Sequence, residues 1–128
     1  MNTASSFFLI ANGIVFLLFF CLPLFLRPLA WARRIGWTIP QETDLVQYLG
    51  RSLGAVALPL VAYLFVAASD PWQFRFIFDL LISIGTLLFA VHLYGFIKKA
   101  QPFIEHLEIV LYGANTLLAL FLYPRPPV

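Results

Sequence analysis

The chain has 128 residues, of which 62% are hydrophobic and 11% charged, with a formal net charge of +2 and a mean hydropathy of +0.91. A water-facing domain of this size needs about a quarter of its residues charged, so most of this surface faces something other than water, and the small, scattered positive charge gives no footing for nucleic acid. A single cysteine, Cys21, excludes an intrachain disulfide and any paired-cysteine metal or redox motif.

The length fits one domain, residues 1–128, of four membrane spans with short connections. The first span is Ser5 to Leu26, about 22 residues or ~33 Å as a helix, which matches a bilayer core. It is read as a retained span rather than a signal peptide: no side-chain cation precedes it, while Arg27, Arg33 and Arg34 follow. Residues 27–47 form the one long connection. Pro28, Trp31, Arg33, Arg34 and Trp37 predict a short interfacial helix or elbow, because amphipathic rings and snorkelling cations both favour the headgroup layer. Thr38-Ile39-Pro40-Gln41 has the spacing of a capping box, so the next helix is expected to begin near Pro40.

The second span is predicted over residues 48–68. Gly50-Arg51-Ser52-Leu53-Gly54 is a small-residue pattern that permits close helix approach, and Pro59 is expected to kink the helix near its middle. Asp70-Pro71 reads as a helix cap with proline in the first turn. The third span covers 76–97 and ends at Lys98-Lys99; the fourth covers 103–123, between Pro102 and Pro124. On this topology six of the eight cations (Arg27, Arg33, Arg34, Arg51, Lys98 and Lys99) lie on one side. The positive-inside bias puts both termini outside, with 27–47 and 98–102 cytoplasmic.

Charged groups within spans need partners. At ~1.5 Å per residue, Arg51, His92 and Glu108 lie ~11, ~8 and ~10 Å from their span centres, all towards the inner side. An Arg51–Glu108 ion pair with His92 beside it is therefore expected. Glu105, Glu108, Tyr112 and Asn115 form one stripe on the fourth helix, continued by Ala119, which must turn away from lipid. The candidate buried cluster is Arg51, His92, Glu108, Tyr112 and Asn115. Arg75 and Asp79 are a candidate i,i+4 pair at the outer side. Asn12, inside the first span, is expected to hydrogen-bond to another helix.

Four functional classes compete. A metal centre from His92, Glu105, His106 and Glu108 departs from the paired Glu and Glu-x-x-His pattern of di-iron bundles, and no metal ligand, catalytic residue or cofactor is assigned. Transport would have to run through Glu108, His92 or Asp79. A lipid or quinone held between the helices would use the room left by Pro59, Gly54, Gly85 and Gly113. An accessory, assembly or scaffold subunit of a larger membrane complex, or a self-associating homo-oligomer, needs no catalytic group. That last class is the reading adopted, with the lipid- or quinone-binding bundle as the alternative.

The layout from Gly50-Arg51-Ser52-Leu53-Gly54 through His92, Glu108 and Tyr123-Pro124 resembles small four-helix bacterial inner-membrane proteins of the DoxX-like and related groups. The resemblance covers most of the chain as a helix pattern. It implies a bacterial inner membrane and the company of respiratory or other redox complexes.

Overall fold

The computed structural model describes residues 2–126, and all regular structure among them is helical. In chain order it comprises α1 (Thr3–Phe16), a π-helical turn (Leu17–Cys21), α2 (Leu22–Leu26), α3 (Pro28–Arg34), α4 (Asp44–Ala67), α5 (Phe76–Ile97) and α6 (Phe103–Phe121). The stretch Thr3–Leu26 is continuous, and with α4, α5 and α6 it gives four helices long and apolar enough to cross a membrane. The four-helix membrane bundle is thus the architecture found. Phe7, Phe19, Val56, Phe103 and Phe121 are among the many large apolar side chains on its outside, as expected where lipid is the solvent.

The π-helical turn has a local cause. Pro23 has no N–H to offer the carbonyl of Phe19 four residues earlier, and widened turns are one way a helix absorbs such a break. The freed carbonyl is not left bare: the Trp31 indole N–H donates to it at 2.7 Å. Trp31 belongs to α3, the short helix expected in the elbow, which carries Pro28 at its start. One hydrogen bond therefore repairs the proline break and folds the elbow back onto the first span.

The second helix begins later than the capping-box pattern predicts. It starts at Asp44 after Thr43, and residues 37–40 are non-helical. Two anchors account for this. Trp37 is hydrogen-bonded to α6, and Gly36, at φ +96°, sits against Pro102. Ile39 is also disfavoured as helical by the proline that follows it. The chain crosses the end of the bundle before it can wind up. From Asp44 the helix runs through Pro59 to Ala67 without interruption. Asp70 does act as a cap, accepting from the Gln73 N–H at 3.1 Å. It caps the turn that precedes α5 rather than α5 itself.

The two ends of the bundle differ in kind. At the end holding both termini, Phe8, Leu9, Leu64, Ala67, Ile77, Phe78, Leu81 and Ala119 form a packed apolar core. Polar fastenings surround it. Ser5 donates to the Leu122 carbonyl at 2.8 Å, and Asn2 exchanges two 3.0 Å hydrogen bonds with the Arg125 backbone. Asn12 is buried, but its amide donates to Phe8 O within its own helix at 2.9 Å, not across helices as expected. At the elbow end this core gives way to a cavity and a polar cluster. Packing explains the change: α5 lies along α6 and α4 lies along the first span, while α4 meets α5 only sparingly.

Candidate functional site: a histidine between two carboxylates

The α5–α6 pairing puts the site together. Gly85 on α5 sits directly against Thr116 of α6, and Gly113 on α6 faces the Phe89 ring. Small residues at these crossings let the two backbones approach closely. That proximity brings His92, on the last turns of α5, against the first turns of α6. Its Nε2 lies 3.0 Å from Glu105 Oε2 and 3.1 Å from Glu108 Oε2. Both glutamates are buried. Glu105 also stands in the first turn of α6, where the positive end of the helix dipole favours a carboxylate.

Each member is held by a further partner. His92 Nδ1 is 2.7 Å from the Leu88 carbonyl one turn earlier. A carbonyl only accepts, so Nδ1 carries a proton and the ring orientation is fixed. The other oxygen of Glu105, Oε1, accepts from the Trp37 indole at 2.7 Å. The elbow therefore reaches the site directly. Tyr112 lies tilted beside the His92 ring, with centroids 5.0 Å apart, and also meets Phe16 of the first span at 6.4 Å.

Above this cluster lies an apolar cavity of about 260 Å³. Phe20 and Cys21 of the first span, Ala57 of α4 and Leu88 of α5 contribute to its wall, and Tyr112 and Asn115 of α6 supply polar groups. All four spans thus meet at one space, and Tyr112 belongs both to it and to the histidine cluster. A second cavity of about 620 Å³ lies on the elbow side, with Arg27, Trp31, Arg34, Ile104 and Glu108 in its lining. Chemically, the cluster can share a proton among a ring nitrogen and two carboxylates, and it can offer three ligand atoms to a cation. One atom from each of His92, Glu105 and Glu108 lies within 4.8 Å of the others.

The expected cluster is corrected in one member. His92, Glu108 and Tyr112 come together, and Asn115 lines the adjoining cavity. Arg51 does not join them: it is exposed and lies in a shallow groove with Phe25, Asp44, Gln47, Tyr48 and Ser52. The residue paired with Glu108 is His92. Glu105, which shares the inward stripe but is not among the expected cluster, takes the place of Arg51. The Arg75–Asp79 ion pair is not formed either. Arg75 stacks over the Trp72 ring at 4.6 Å and donates to the Trp72 carbonyl, while Asp79 accepts from the Tyr123 hydroxyl at 2.9 Å. His106 stands apart, edge-on to Phe96 and Phe103.

Trp37 is the cluster contact that residue patterns alone conceal. Its indole reads as an interface anchor, and only the path of residues 35–43 across the bundle end aims it at Glu105. Comparison with family models, with curated proteins and with solved structures gives no match, so the site is read from its geometry.

Proposed function

We propose that the chain is an inner-membrane binding protein for a lipid-soluble amphiphile, a quinone or lipid, whose apolar body enters the four-helix cavity and whose polar head meets Tyr112 and Asn115. The observation that carries this is the cavity wall, which draws on all four spans and is apolar except where Tyr112 and Asn115 join it. Ligand pockets combine this kind of apolar lining with a few convergent polar groups. The His92–Glu105–Glu108 cluster, one residue away through Tyr112, can exchange protons with a head group. A DoxX-like relationship, with its redox company, accords with this reading.

The test uses the purified chain in mild detergent. Decylubiquinone is expected to raise its melting temperature, and Ala57→Trp, which fills the cavity without touching the cluster, is expected to abolish that rise. An equal rise in both proteins would refute the cavity as the site. The second reading is an accessory subunit of a larger complex. Its support is Arg51, an exposed cation about two turns into α4, which an acidic group of another subunit would meet. On that reading the chain migrates from native membranes with other subunits, and decylubiquinone leaves its melting unchanged.

The proposed orientation has both termini periplasmic and the elbow and 98–102 turn cytoplasmic, as the distribution of cations implies. A C-terminal alkaline phosphatase fusion is expected to be active. Activity confined to a cytoplasmic reporter at the same position would reverse the assignment.

A further inference from the structure

We propose that His92, Glu105 and Glu108 form a binding site for one first-row divalent cation of the Mn²⁺, Fe²⁺ or Zn²⁺ class. The inference uses the cluster and not the cavity above it, and an ion bound there takes the place of the proton exchange suggested for the cluster, leaving the cavity, Tyr112 and Asn115 for the amphiphile.

The starting point is the hydrogen inventory. The His92 Nδ1 proton is committed to the Leu88 carbonyl. The Nε2 of the neutral ring then presents a lone pair, and it faces two carboxylate oxygens that are also acceptors. Three electron-rich atoms converge on one buried point. A proton placed there can be shared with both carboxylates but brings a single charge, whereas a divalent cation binds all three atoms and brings two.

The spacing fits a coordination shell. Metal–nitrogen and metal–oxygen bonds of ~2.0–2.2 Å put neighbouring ligand atoms on the order of 3 Å apart. The two distances from Nε2 are 3.0 and 3.1 Å. Charge balance agrees. Two carboxylates and a neutral imidazole leave two negative charges, which a divalent ion cancels; a single added proton leaves one uncompensated in a low-dielectric site. Imidazole with carboxylates suits borderline first-row ions.

Two outer hydrogen bonds complete the pattern. A metal-bound histidine characteristically donates its other N–H to a carbonyl or carboxylate, and bound carboxylates are themselves hydrogen-bonded. Leu88 O does the first for His92, and the Trp37 indole does the second for Glu105. The elbow-side cavity reaches Glu108 and gives an ion a route from the bundle end.

The probe is Co²⁺, added to the detergent-purified, chelator-stripped chain and followed by equilibrium dialysis and by ligand-field absorption. The native chain is expected to retain one Co²⁺ per polypeptide. Glu105→Gln with Glu108→Gln, which preserves side-chain size, is expected to lose retention. Trp37→Phe keeps all three ligands and is expected to weaken binding about tenfold, so the proposal stays testable should the double variant fail to fold. His106→Gln is expected to bind as the native chain does. Failure of the native chain to retain Co²⁺, or undiminished affinity in Trp37→Phe or in the double variant, would overturn the site.

Discussion

Replacing His92 by phenylalanine is expected to destabilise the bundle by about 1–3 kcal/mol, the range for leaving buried polar groups without their hydrogen-bond partner. Phenylalanine is the informative substitution because it retains an aromatic ring beside Tyr112, where the two rings now lie 5.0 Å apart. Any loss then reports the chemistry of the ring nitrogens and not the volume of the side chain. Without Nε2, Glu105 and Glu108 face each other in a buried site, with the Trp37 indole donating to Glu105 alone. Adding Glu105→Gln and Glu108→Gln to the same background removes both charges and is expected to restore much of the loss. The measurement is thermal unfolding in mild detergent, followed by helical circular dichroism. If His92→Phe melts with the native chain, the cluster does not hold the elbow end together and its assignment as a buried ionic centre fails.

This cluster also marks where residue patterns stop being informative. The stripe on the fourth helix was legible, since Glu105, Glu108, Tyr112 and Ala119 are all buried and their spacing fixes a common face. Depth was legible too, because rise per residue places His92 and Glu108 in one layer. The partner was not, because depth says nothing about rotation. On α4 the buried residues are Gly54, Val61, Leu64 and Ala67. At ~100° per residue their mean direction lies roughly 115° around the helix from Arg51. Hydrophobic patterning could not reveal this, since nearly every face of α4 is apolar. What sets the rotation is the contact of Gly50 and Gly54 with the first span and elbow.

The spans themselves were recoverable because lipid imposes length and apolarity on each one separately. The expected third span matches α5, Phe76–Ile97, and the fourth matches the start of α6, Phe103–Phe121. The elbow was recoverable as an element but not as a set of contacts. Trp31 and Trp37 look alike in composition, yet one satisfies the Phe19 carbonyl and the other reaches Glu105. Both jobs depend on geometry that no local pattern encodes. Asp79 shows the same limit: four residues from Arg75 it has a ready local partner, but the end of α6 brings Tyr123 to it first.

Gly54→Ala is the second substitution with a large expected effect, about 1–3 kcal/mol of destabilisation, although alanine is the better helix former by roughly 1 kcal/mol. A Cβ at this position would lie 2.6 Å from the Phe25 backbone nitrogen and 2.9 Å from its Cα. Backbone atoms in a helix cannot rotate aside, so the whole contact between α4 and the end of the first span must open. Gly13 supplies the control. A Cβ there would meet the far edge of the Phe65 ring at 2.7 Å, and a ring tip can swing away, so Gly13→Ala is expected to be tolerated. Because α4 also walls the four-helix cavity through Ala57 and Val61, moving it outward is expected, on the proposed function, to weaken decylubiquinone binding together with stability. Melting curves for the two alanine variants in the same detergent decide the matter. If Gly54→Ala melts no lower than Gly13→Ala, the close packing of α4 on Phe25 does not hold this half of the bundle.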